Sequence, residues 1–130
     1  MKILVTGSSG FLGTRLCQAL ENQGHEVVRL SSKNCDLTIA GSLDGFRRTR
    51  YDQIVHLAAW TQAGDFCLHH AGEQWIINQQ INTNVLAWWH IAQPQATLIC
   101  MGSSCTYYPA LPLKEEMNKL PSATSAEAPL

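Results

Sequence analysis

At 130 residues the chain has room for one domain with a fair core, and not for two. Hydrophobic residues make up 45% and charged residues 15%, with a net charge of -1, which gives no electrostatic case for nucleic acid or an anionic membrane. No apolar run approaches the roughly 20 residues of a membrane helix. Residue 1 leads straight into an apolar run, so no signal peptide is expected. The five cysteines, Cys17, Cys35, Cys67, Cys100 and Cys105, are scattered without a Cys-x-x-Cys pair. That pattern argues against a disulfide framework or a zinc site, and a cytoplasmic protein with reduced thiols is expected.

In chain order, Ile3 to Val5 is long enough for a buried parallel strand and too short for a helix. Gly7, Gly10 and Gly13 follow it. Phe11, Leu12, Leu16, Ala19 and Leu20 then fall at helical spacing, with Gly24 as the stop. His25 to Leu30 reads as a second strand. Cys35-Asp36-Leu37 is either a short third strand or its edge, and either Thr38 or Ser42 would cap a brief helix reaching about Arg48. Asp52 to Ala59 is a further strand, Glu73 to Gln93 a long helix stopped by Pro94, and Thr97 to Met101 a last buried strand. Strands alternating with helices predict a parallel sheet with right-handed crossovers, of about five strands. Residues 119–130 lack periodicity and read as a loop or disordered tail, which leaves residues 1–118 as the domain.

A strand, a glycine turn and a helix place free helix amides where a phosphate would sit. Gly7 would make the tight turn, Gly10 would admit a pyrophosphate, and Gly13 would let the helix pack against the strand. The spacing, Thr6-Gly7-x-x-Gly10-x-x-Gly13, resembles the cofactor loop of the extended short-chain dehydrogenases/reductases, in their NAD-dependent epimerase/dehydratase group. The likeness runs through residues 1–118. Asp36-Leu37-Thr38 resembles an Asp-Leu-x-Asp segment, with Ile39 in place of the second acid. His56-Leu57-Ala58-Ala59 matches a His-x-Ala-Ala strand end, Asn84-Val85 an Asn-Val helix step, and Ser103-Ser104-Cys105 a Ser-Ser-Cys loop after the last strand.

The resemblance implies a Rossmann-like, doubly wound parallel sheet, here incomplete, and a dinucleotide cofactor held by Thr6, Gly7, Ser9, Gly10, Phe11, Leu12, Gly13, Ser32, Lys33, Asp36, Leu37, Leu57, Ala58 and Ala59. It gives Ser103 a hydrogen bond to the substrate oxygen and Asn84 support of a proton-relay water. In the branch with the Ser-Ser-Cys loop, it makes Cys105 an acid/base. Each has a plainer competitor: Asp36 as a turn cap, Ser103 and Ser104 as turn serines, Asn84 as a structural amide. His56 is expected to be a satisfied structural histidine. Trp60, Trp75, Trp88 and Trp89 are expected in packing rather than in a stacking platform. No acid follows the second strand to select NAD, whereas Ser31, Ser32 and Lys33 suit a 2′-phosphate, so NADP is favoured over NAD, with Arg29 as a second phosphate contact.

The family's proton exchange uses Tyr-x-x-x-Lys, and four residues beyond Tyr51, Tyr107 and Tyr108 lie Val55, Leu111 and Pro112. The expected explanation is a truncated product, a shifted reading frame near residue 119 or a fragment. The expected function is the NAD(P)-binding part of a nucleotide-sugar epimerase, dehydratase or reductase, inactive alone and prone to self-association or a homodimer. The alternatives are a non-catalytic nucleotide-binding or partner-binding remnant and a reductase of a non-sugar carbonyl.

Overall fold

The computed structural model describes residues 1–62 and 64–102. Ser103, Cys105 and the 119–130 segment lie outside them.

Four parallel strands form one sheet: β1 (Lys2–Thr6), β2 (Glu26–Leu30), β3 (Gln53–His56) and β4 (Thr97–Cys100), in the order β2-β1-β3-β4. Helix α1 (Phe11–Asn22) joins β1 to β2; the short α2 (Phe66–His69) and long α3 (Ala71–Ala92) join β3 to β4. Alternation along β1 decides which face each helix covers. Ile3 and Val5 pack with Val55 and Cys17 of α1. Leu4 points the other way and packs with Ile54, Val85 and Trp88 of α3. Helices therefore cover both faces, and the sheet is doubly wound.

The α3 stripe has the expected helical spacing: Ile81, Val85 and Trp88 are buried, and Ile77 is half-buried against them. Trp60 and Trp89 pack on that core too. Trp75 does not. It lies off the stripe and is 68% exposed. At the foot of α1, Gly24 takes φ +80° and its amide reaches Glu21 O at 2.9 Å, ending the helix as its position predicts.

Cys35-Asp36-Leu37 is no strand, so the described sheet has four strands rather than about five. Local side-chain bonds displace the ladder there. Asn34 Oδ1 accepts from Ser31 N at 2.8 Å, and its Nδ2 donates to Arg29 O at 3.0 Å. Asp36 Oδ1 accepts from Thr38 N at 3.0 Å and from Thr38 Oγ1 at 2.7 Å. Thr38 is thereby committed to Asp36 and caps nothing. The brief helix is a single 3₁₀ turn, Asp44–Phe46, whose N-cap is Leu43 rather than Thr38 or Ser42 and has no side-chain cap.

Gln93 is 1% exposed and ties the long loop before β3 to the end of α3. Its Nε2 donates to Thr49 O at 2.7 Å and Arg47 O at 3.3 Å, and its Oε1 accepts from Tyr51 N at 3.4 Å.

Candidate functional site

The glycine loop is built as its spacing requires. Gly7 sits at φ +66°, and a Cβ on it would lie 2.8 Å from Ala58 N and Leu57 C. A Cβ on Gly13 would lie 2.1 Å from Gly7 O and 2.8 Å from Ser8 Cα, so α1 meets the loop only because Gly13 has no side chain. Ser8 locks the loop to the end of β2: its N and Oγ both donate to Leu30 O at 2.9 Å. Gly10 is the exposed N-cap of α1, with no side-chain cap and no acid in the first turn. Its own amide is spent on Gly7 O at 3.0 Å. The first-turn amides of Phe11, Leu12 and Gly13 precede the first intrahelical bond, Thr14 N to Gly10 O, and have no acceptor among the described residues. Free amides, the positive end of a 12-residue helix and the absence of a competing carboxylate suit an anion.

A cleft of about 470 Å³ opens beside this loop at the C-terminal ends of the strands. Gly7, Ser9 and Gly10 form one side, Ser31, Ser32, Asp36, Leu37 and Thr38 another, Leu57, Ala58 and Ala59 the floor, and Trp60, Ile77 and Ile81 the far wall. Nine of the residues singled out for the cofactor thus share one cavity. The other five stand elsewhere. Thr6 is buried beneath the floor and Gly13 beneath the loop; Phe11, 84% exposed, and Leu12 offer their amides rather than their side chains; Lys33 is exposed beyond the lining. The hydrogen bonds from Thr38 hold the Asp36 carboxyl below the ordinary carboxylate range. Burial pushes the Cys35 thiol up.

Arg29 is not a phosphate contact. It belongs to the α1 face of the sheet, in register with Val5. Its guanidinium is held by both carboxylate oxygens of Glu21 at 2.9 and 2.6 Å, near the C-terminal end of α1.

Trp60, expected in packing, also walls the cleft. Its ring lies edge-on to Phe66 at 4.8 Å. Asn78 of α3 fixes its backbone, Oδ1 accepting from Trp60 N at 2.8 Å and Nδ2 donating to Trp60 O at 3.0 Å. Ile77 and Ile81 reach the same wall from one helical stripe, a spacing that marks them as inward-facing without saying that they line a cavity. Asn84 donates from Nδ2 to Leu37 O at 2.8 Å, so it holds the segment that carries Asp36 and Leu37.

His56 is buried, as expected of a satisfied structural histidine. Its Nδ1 lies 2.7 Å from Thr6 Oγ1 and its Nε2 3.0 Å from Asn82 Oδ1. Burial pushes its pKa down. A second cavity of about 400 Å³ shares Leu57, Ala58 and Ala59 with the first and continues past His56, Asn78 and Asn82 to Cys100 and Met101 at the end of β4. Among the described residues no three His, Cys, Asp or Glu cluster to hold a metal ion. No described helix is long and apolar enough to cross a membrane.

Residues 3–127 match the NAD dependent epimerase/dehydratase family. The chain belongs to that family. Similar proteins include the spore coat polysaccharide biosynthesis protein SpsK of Bacillus subtilis (strain 168), 35% identical over 78 residues, 59% of this chain and 27% of that protein. A UDP-glucose 4-epimerase of Klebsiella pneumoniae is 35% identical over 55% of this chain and 59% of its own. Among solved structures, a GDP-L-fucose synthetase from Naegleria fowleri bound to NADP superposes with a TM-score of 0.66 at 26% identity, covering 85% of this chain and 36% of that one. The chain spans less than two thirds of each of these relatives.

Proposed function

We propose that these residues form the dinucleotide-binding part of a nucleotide-sugar epimerase, dehydratase or reductase, with NADP favoured over NAD. The carrying observation is the juxtaposition of unpaired first-turn amides, an exposed Gly10 and a 470 Å³ cleft at the C-terminal ends of parallel strands.

The residues present fit such a cofactor. The amides of Phe11, Leu12 and Gly13 would receive the pyrophosphate. Asp36 and Leu37, steadied by Asn84, would border the adenosine half, with Ser31, Ser32 and Lys33 near a 2′-phosphate. Leu57, Ala58 and Ala59 would lie under the ribose and phosphates. When bound, the dinucleotide supplies hydride donor and acceptor chemistry. In this reading Ser103, outside the described residues, would hydrogen-bond the substrate oxygen, and Cys105 would be the acid/base.

A second reading is a non-catalytic nucleotide-binding remnant. Titration calorimetry with NADPH, NADH and a GDP-sugar tests both. Binding of NADPH supports the cleft assignment, and binding of the GDP-sugar beside it supports the nucleotide-sugar reading; NADPH binding without the GDP-sugar supports the remnant, and no dinucleotide binding refutes the cleft assignment.

A further inference from the structure

Counting protons around Thr6 fixes the state of its neighbour. A threonine hydroxyl has one proton to donate and two lone pairs to receive. Thr6 Oγ1 accepts from Leu57 N at 3.1 Å and from Ala58 N at 3.2 Å, which fills both lone pairs. Its own proton then has one remaining direction, the 2.7 Å contact to His56 Nδ1. His56 Nδ1 must be bare. The neutral ring therefore carries its proton on Nε2, which donates to Asn82 Oδ1 at 3.0 Å. The assignments agree from both ends, and both ring nitrogens and the Thr6 hydroxyl are fully used.

The row matters because of what hangs from it. Leu57 and Ala58 leave β3 where the ladder ends, and they form the floor shared by both cavities. Gly7 passes so close above that a Cβ on it would strike Ala58 N. We infer that His56 is a positioning residue for the dinucleotide cleft: by taking the Thr6 hydroxyl proton at Nδ1, it aims both Thr6 lone pairs at the Leu57 and Ala58 amides and sets the floor against the glycine loop. Asn82 holds the ring from α3. The inference rests on the dinucleotide reading for its consequence in binding, and on the apo protein alone for its geometry.

Two substitutions separate this role from packing. An asparagine puts an amide oxygen near the position of ring Nδ1; a glutamine puts its amide near Nε2 and leaves Thr6 without that acceptor. His56→Gln should weaken NADPH binding roughly 3- to 10-fold, and His56→Asn should stay within about 2-fold of the unmodified chain. Amide exchange at Leu57 and Ala58 without cofactor should quicken roughly 10-fold in His56→Gln and return toward normal in His56→Asn. The ring ¹⁵N spectrum of the unmodified chain should show a bare Nδ1 and a protonated Nε2. A protonated Nδ1, or exchange at the two amides unmoved in both variants, overturns the inference. Failure of the unmodified chain to bind NADPH sinks the cofactor reading instead, and the exchange and ¹⁵N measurements still decide the role of His56.

Discussion

Gly13 sits directly beneath Gly7: a single added carbon would lie 2.1 Å from the Gly7 carbonyl oxygen. Six residues apart in sequence, the two divide the work of the loop. Gly13 has no room for a side chain, whereas Gly10, between them, is exposed, and a Cβ there would meet one tight contact, 3.2 Å to Gly7 O, to which the loop must yield by a few tenths of an ångström.

Substitutions at the two should therefore fail differently. Gly13→Ala forces helix and loop apart and should lower stability by about 2–3 kcal/mol, visible in the urea midpoint. Gly10 has extended backbone, φ -75° and ψ 177°, which suits a β-branched residue. Gly10→Val should keep the fold while weakening NADPH binding roughly 10- to 100-fold, because its methyls stand before the helix amides. NADPH binding unchanged in Gly10→Val would show that the phosphates go elsewhere.

Cofactor preference turns on the loop after β2. Ser31 and Ser32 line the cleft, and Lys33 beside them is exposed and shares no ion pair among the described residues. NADPH should bind more tightly than NADH, and Lys33→Glu should narrow the ratio about 3- to 10-fold at low salt. Arg29→Ala should leave that ratio alone, since its guanidinium is spent on Glu21. Tighter binding of NADH to the unmodified chain contradicts this assignment.

Much of this was legible in the sequence because it follows from period and spacing. Buried parallel strands read as apolar runs at Ile3–Val5 and Ile54–Val55, and the α3 stripe reads as Ile77, Ile81, Val85 and Trp88. Three closely spaced glycines marked the loop. What period cannot express was missed. Asn34 and Asp36 spend their side chains on local backbone, which removes a strand that Cys35 to Leu37 suggested. Gln93 and Asn78 are ordinary amides by composition and become clamps only through contacts 18 to 46 residues away. Arg29 looked available because its partner Glu21 lies across a helix–strand turn.

Stability should fall on mild acidification because of His56. Its folded pKa lies below the ordinary 6.5, so the unfolded chain binds more protons as pH drops below about 7. The contribution is fully present above that range and is lost as pH falls through the folded value. Glu21 and Asp36 shift down from 4.5 and 3.8, so their contributions disappear in a separate, more acidic window. Urea midpoints between pH 7.5 and 5 should decline for the unmodified chain and flatten in His56→Asn. Equal slopes in the two would mean that His56 titrates freely in the fold.

The 130 residues alone should show no reductase or epimerase turnover. A carbonyl oxygen receiving hydride needs a proton, and a serine at Ser103 is a poor acid at neutral pH. Loss of a general acid typically costs about 10²–10⁴-fold in rate, before any shortfall in the sugar pocket. The same chain should also self-associate. Among the described residues β4 pairs only with β3, and on its α1-side face Ile99 is 42% exposed. Light scattering of the purified chain should therefore show a mass above the monomer's, and Ile99→Lys should reduce it. Purified protein given NADPH and GDP-4-keto-6-deoxymannose settles the chemistry. Substrate-dependent NADPH oxidation clearly above a Ser103→Ala control would mean that another group in this chain supplies the proton.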